Sequence, residues 1–195
     1  MKVIFLDNDG VICLSHNWGT RHKKLQKWMA KNGKKASYDM DHRFDNFDVK
    51  AIKILNEILT ETGAEYVVSS DWRHHASLEE LQGYYLSKGV IKAPIDVTPN
   101  TKDIDPDAWS GLRYSADLEL ERSIEIKHWL KYHPEVTHWV AVDDLNMSTE
   151  YLSQYFTHAE NLEQLPGLSN FVLTPLRNEG IKQTSIKDKI LKHLL

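Results

Sequence analysis

Residues 2–10 read KVIFLDNDG, an apolar run from Val3 to Leu6 followed at once by Asp7, Asn8, Asp9 and Gly10. A strand with one face in water alternates apolar and polar residues, whereas an unbroken run belongs to a strand covered on both faces. This segment therefore predicts a central strand of a parallel sheet, ending in two acids. The pattern repeats outward along the chain. Ile52, Leu55, Ile58 and Leu59 form an amphipathic helical stripe between Val49 and Thr62, ended by Gly63, and EYVVSS at 65–70 follows as a second strand. IDVTP at 95–99 is a short third strand closed by Pro99, THWVAVDD at 137–144 a fourth, and Asn170 to Thr174 a fifth. Strands alternating with helices predict an α/β fold with a mostly parallel central sheet and helices on both faces.

The helices have readable limits. Thr20 to Asn32 forms a basic helix with Leu25, Trp28 and Met29 on one face, stopped at Asn32-Gly33. Ser77 and Glu80 stand at capping-box spacing ahead of LEELQGYYL. Glu121 to Tyr132 carries Ile124, Ile126, Trp129 and Leu130 and is stopped by Pro134, and Thr184 or Ser185 caps a last helix bearing Ile186, Ile190, Leu191 and Leu194. Asn100 to Leu118 is the longest irregular stretch and is expected to be a loop near the site.

With 195 residues, the chain suffices for one well-buried core, so a single domain over 1–195 is expected, with a small basic insertion over 13–45. No apolar run reaches bilayer length, and the amino-terminal run is cut by Asp7 and Asp9 before a signal core develops; a cytoplasmic protein with no membrane partner is expected. The single cysteine, Cys13, rules out an internal disulfide and reads as a buried thiol. A net charge of −4 gives no global attraction to nucleic acid, yet Arg21 to Lys35 holds seven cations (Arg21, Lys23, Lys24, Lys27, Lys31, Lys34 and Lys35) and no acid. That block is either a solvated face or a seat for a polyanion.

Ligands of an open parallel sheet bind beyond the carboxyl ends of its strands. Three ends are polar here: Asp7 to Gly10, Ser69 to Arg73, and Asp143-Asp144. Four converging carboxylates, Asp7, Asp9, Asp143 and Asp144, would repel one another without a bound cation, and oxygen-only ligands select Mg2+ or a similar hard ion. Arg73 could face a substrate phosphate or a structural carboxylate. His74 and His75 have no spaced partner for a transition-metal site. Trp18, Trp72 and Trp109 lie in segments flanking the expected crevice, where packing and base stacking both remain open.

Strand-DxDG, strand-Ser, a basic residue heading a helix, then strand-DD is an order that resembles the haloacid dehalogenase-like (HAD) superfamily. FDNFDVKAIKILNEILTETGAEYVVSSDWR, RSIEIKHWL, HWVAVDD and FVLTPLRNEGI are further similar to the small HAD-type domain associated with RNA-repair proteins. The resemblance implies a Rossmann-like core and a Mg2+-dependent phosphomonoesterase. Asp7 would be the nucleophile and a metal ligand. Asp9 would be the general acid and base, titrating above Asp7, with its backbone carbonyl on the metal. Gly10 would let the backbone approach the phosphoryl group, which Ser69 and Ser70 would hydrogen-bond. Arg122, or Lys127 as the fallback, would neutralise phosphoryl oxygens. Asp144 would bind the metal, Asp143 would support it, and Asn146 would assist from outside. The substrate class implied is a nucleotide or another phosphorylated small molecule, or a nucleic-acid end. The alternatives are a catalytically silent nucleic-acid- or protein-binding module of the same fold, and a phosphomutase.

Overall fold

The computed structural model describes residues 1–33, 39–104, 117–155 and 167–195. Five strands, β1 (Lys2–Leu6), β2 (Glu65–Val68), β3 (Asp96–Val97), β4 (His138–Asp143) and β5 (Phe171–Leu173), form one sheet in the order β3-β2-β1-β4-β5. Every pairing is parallel. Thus β1 is the central strand, as its unbroken apolar run requires. Ile4 and Leu6 point into one apolar cluster, and Val3 and Phe5 into another on the opposite face.

The helices are α1 (Thr20–Asn32), α2 (Met40–Arg43), α3 (Val49–Thr62), α4 (Leu78–Ser87), α5 (Thr101–Ile104), α6 (Asp117–Lys131), α7 (Thr149–Leu152) and α8 (Ile186–Leu194). The first face of the sheet is covered by α3, through Ile52, Leu55, Ile58 and Leu59, with Leu81, Tyr84 and Tyr85 of α4 and Ile190 and Leu194 of α8. The other face packs Ile126 and Trp129 of α6, with Met147 and Leu168. Each such leucine or isoleucine, once fully buried, contributes about 1.5–3 kcal/mol. The Asp48 carboxylate caps α3 by accepting from Ala51 N at 2.9 Å, and Gly63 ends it at φ +68°. The Ser77 and Glu80 capping box of α4 is formed.

The structure departs from expectation at three boundaries. The segment expected to be a loop from Asn100 holds the short α5, while 105–116, including Trp109, lies outside the described residues. Helix α6 begins at Asp117, four residues before Glu121: its first turn, DLEL, is rich in acids that favour a helix amino terminus but carries no apolar period to announce it. Ser185 takes the position before α8 with φ +69° and makes no side-chain cap bond. Among the described residues no helix is long and apolar enough to cross a membrane.

Candidate active site

The register of three strands builds the site. Leu6 is paired with Val68 on one side and Val142 on the other, so the residues that follow them, Asp7, Ser69 and Asp143, emerge side by side at one sheet edge. Backbone bonds extend the match by a residue: Asp7 N donates to Val142 O at 3.1 Å, and Ser69 N to Leu6 O at 2.9 Å. The chain adds β2 and β3 on one side of β1 and β4 and β5 on the other, so the gap between β1 and β4 is the topological switch point, where such sheets bind ligands.

Oxygens of Asp7, Asp143 and Asp144 lie within 4.8 Å of one another. Gly10 explains how Asp144 fits: a Cβ there would stand 2.6 Å from the Asp144 Cγ, and φ is +77°. Three carboxylates at this separation offer only hard oxygen donors, which suits a Mg2+-sized dication. Two guanidinium groups offset part of their charge. Arg122 Nη1 bridges Asp7 Oδ1 at 3.0 Å and Asp143 Oδ2 at 2.8 Å, while its Nη2 reaches Asp71 Oδ1 at 3.0 Å. Arg177 Nε bonds Asp144 Oδ2 at 2.5 Å. Burial, then the neighbouring Asp143, pushes the Asp7 carboxyl well above its ordinary range, against the pull of Arg122. Asp144 is pushed up to about 6, by burial first and then by Asp143.

Asp9 stands apart from this group. Its Oδ2 accepts from the indole Nε1 of Trp72 at 2.8 Å, and the Cys13 thiol also bonds its carboxyl. Burial raises the Asp9 carboxyl as well, against the pull of its bond from Trp72. Cys13 is buried and its thiol is pushed up, first by burial and then by Asp9, which leaves it an inert neighbour. A cavity of about 410 Å3 opens over Asp9, walled by Trp18, Gly19, Arg21, His22, Asp45 and Trp72. The Asp45 carboxylate holds that wall, accepting from Gly19 N, Thr20 Oγ1 and Arg21 N.

The remaining candidates divide. The hydroxyls of Ser69 and Ser70 are buried without a hydrogen-bond partner. Arg73 faces a structural carboxylate: its Nη2 lies 2.5 Å from Glu125 Oε2, with 5% and 6% of the two side chains exposed, and its Nη1 donates to Ser70 O. Lys127, half-buried, sits five positions beyond Arg122, and burial lowers its ammonium; it is Arg122 that reaches Asp7 and Asp143. Asn146 turns its Oδ1 to Ser148 N at 3.1 Å. His74 and His75 are exposed on the rim of a second cavity of about 790 Å3, which Asp71, Arg122 and Leu145 also line. Of the basic block, Lys23, Lys27 and Lys31 form an exposed row along α1, while Lys24 is engaged by Asp41 and Asn46; Lys34 and Lys35 lie outside the described residues.

Arg177, Asp71 and Thr174 were not anticipated as site residues. Thr174 N donates to Asp143 O at 2.8 Å and its Oγ1 to Gly10 O at 3.3 Å, tying the two acid loops together. The strand-end rule applied to β5, which ends at Leu173, points to Thr174 and Arg177.

An open, all-parallel, five-stranded sheet with acids gathered at its switch point defines the Rossmann-like α/β class to which HAD enzymes belong. The sequence profile of the HAD domain in Swiss Army Knife RNA repair proteins matches residues 3–169, and the chain belongs to that family. The match takes in β1 to β4 with Asp7, Ser69, Arg122 and Asp144, and ends before β5 and Arg177. No curated protein and no solved structure gives a significant match. The family lies within a superfamily of hydrolases that generally use Mg2+.

Proposed function

We propose that the protein is a phosphomonoesterase that works through an aspartyl-phosphate on Asp7, acting on a nucleotide or on a terminal phosphate of a nucleic acid. The observation that carries this reading is the register that sets Asp7, Ser69 and Asp143 in one row, with Arg122 bridging the two acids. Asp7 attacks phosphorus as the bond to the leaving oxygen breaks, and splitting the displacement in two lowers each barrier. Arg122, fixed on Asp7 Oδ1, orients that carboxylate and favours its ionised, nucleophilic form. The unpartnered hydroxyls of Ser69 and Ser70 are donors ready for phosphoryl oxygens. Asp9 gives its proton to the leaving oxygen, then takes one from the water that hydrolyses the intermediate. Mg2+, held by Asp7, Asp143 and Asp144 with the Asp9 carbonyl, would neutralise charge gathering on the phosphoryl group.

The exposed row of Lys23, Lys27 and Lys31, on the insertion 13–45, supports a polyanionic substrate over a neutral sugar phosphate. Hydrolysis of an aryl phosphate with and without Mg2+, repeated with Asp7→Asn, tests the chemistry. Turnover that requires both the metal and Asp7 supports it; a protein inert towards aryl phosphate, 3′-phosphorylated oligonucleotide and mononucleotides would instead be a silent binding module. A 3′-phosphorylated oligonucleotide set against free mononucleotides separates end processing from nucleotide hydrolysis.

A further inference from the structure

The hydrogen bond from Trp72 to Asp9 joins residues 63 apart in sequence, and Asp9 is the acid on which the proposed reaction depends for its proton. Trp72 is buried and held from its ring side. Phe44 stacks on it at 4.3 Å and Phe47 at 5.2 Å, both within 12° of parallel, and Tyr84 packs against it at 6.1 Å. A donor fixed by that much ring contact cannot follow a moving carboxylate; the carboxylate must instead align to the donor. The indole has no acceptor, so it can donate to Asp9 whether the acid is charged or neutral, and in the structure it does so at Oδ2. The Cys13 thiol, the other donor to this carboxyl, is weak beside an indole N–H, so with Oδ2 held by Trp72 the transferable proton is assigned to Oδ1.

We propose that Trp72 is the positioning residue for the general acid: its N–H pins Asp9 Oδ2 so that Oδ1 presents the proton to the leaving oxygen in the cavity shared by Asp9, Trp18 and Trp72. This rests on the phosphatase reading above. In the first step the Asp7 oxygen bonds phosphorus, the bond from phosphorus to the leaving oxygen breaks, and the Oδ1 proton moves to that oxygen. In the second, a water oxygen bonds phosphorus, its proton returns to Oδ1, and the bond from Asp7 to phosphorus breaks. Phe44, at the end of the insertion, and Phe47 lie between α2 and α3, so the ring stack links the segment that walls the cavity to the acid within it.

The need for a proton depends on the leaving group. A nitrophenolate departs unaided, whereas the alkoxide of a ribose needs protonation. Trp72→Phe retains an aromatic ring for stacking and deletes the donor, with a smaller ring in place of the bicycle. Its expected signature lies in the first step, since Asp9 serves the second step for every ester: phosphorylation of Asp7 by a nucleoside 3′-phosphate slows about 10- to 100-fold, while the pre-steady-state burst of nitrophenolate from 4-nitrophenyl phosphate keeps a rate within about threefold of wild type. Asp9→Asn should show the same first-step selectivity more strongly, and adding Trp72→Phe to Asp9→Asn should slow phosphorylation of Asp7 by the nucleoside 3′-phosphate no further. Equal losses on both substrates, no loss on either, or additive losses in the double variant would overturn the proposal. If Trp72→Phe does not fold, benzothienylalanine at position 72, which keeps the bicyclic shape without the N–H, carries the same comparison. Failure of the phosphatase reading is distinguishable, because the wild-type protein would then turn over neither ester.

Discussion

Replacing Arg73 with methionine removes one half of a buried ion pair while nearly preserving the volume of its stem. Glu125 keeps two neutral contacts, Thr101 N at 2.9 Å and Thr101 Oγ1 at 3.0 Å on Oε1, while Oε2 loses its guanidinium at 2.5 Å. With only 6% of the Glu125 side chain exposed, water cannot replace the lost cation. Stranding a buried charge in this way costs about 3–5 kcal/mol. At about 2–4 °C per kcal/mol for a chain of this size, the midpoint should fall by about 6–20 °C. Glu125→Gln added to Arg73→Met removes the stranded charge and should recover a large part of that loss, which a double-mutant cycle by calorimetry measures directly. Turnover assayed well below the midpoint should keep its KM for phosphate esters. An unchanged midpoint with KM raised tenfold would refute this reasoning, and would make Arg73 a phosphate ligand.

Gly10→Ala meets two obstacles, a positive φ costing about 1–2 kcal/mol and a Cβ at 2.6 Å from Asp144 Cγ, so it should both lower the melting midpoint and raise the Mg2+ concentration for half-maximal turnover by tenfold or more. Asp144, raised to about 6 in the metal-free fold against about 3.9 unfolded, makes the folded state bind its proton more tightly. That stabilising contribution is complete below the unfolded value and is lost as pH rises through about 6. Mg2+ needs the ionised group, so the Mg2+-induced rise in melting midpoint should be small near pH 5 and reach its full size near pH 7.5. Reversing the exposed row with Lys23→Glu, Lys27→Glu and Lys31→Glu should weaken a phosphorylated oligonucleotide more than a mononucleotide; it should also flatten the salt dependence of oligonucleotide binding by about two in log-log slope.

The strand ends were legible because a covered strand writes itself as an apolar run and its chemistry as the next residue. Leu6-Asp7, Val68-Ser69 and Val142-Asp143 each show that step, and the pairing register then fixes their alignment. The stripe of α3 and the capping box of α4 were legible for the same reason, since both are local patterns. What could not be read was the choice of partner across the chain. Arg73 is adjacent in sequence to the candidate crevice, yet its carboxylate comes from α6, 52 residues away. The indole of Trp72 binds Asp9 rather than only packing, and that depends on Phe44 and Phe47 converging from another segment. The cations of the basic block appeared unopposed because Asp41, which engages Lys24, follows the block in sequence and folds back onto it.

The central claim is that Asp7 becomes covalently phosphorylated. Wild-type protein turning over a phosphate ester with Mg2+ is quenched with borohydride, which reduces an acyl phosphate, and the peptide spanning residues 1–10 is sequenced by mass spectrometry. The account requires reduction at Asp7 alone, dependent on both ester and Mg2+, with Asp7→Asn unlabelled and its turnover lower by on the order of a thousandfold. Ester hydrolysis that proceeds with no reduced Asp7, or that survives Asp7→Asn, would contradict it.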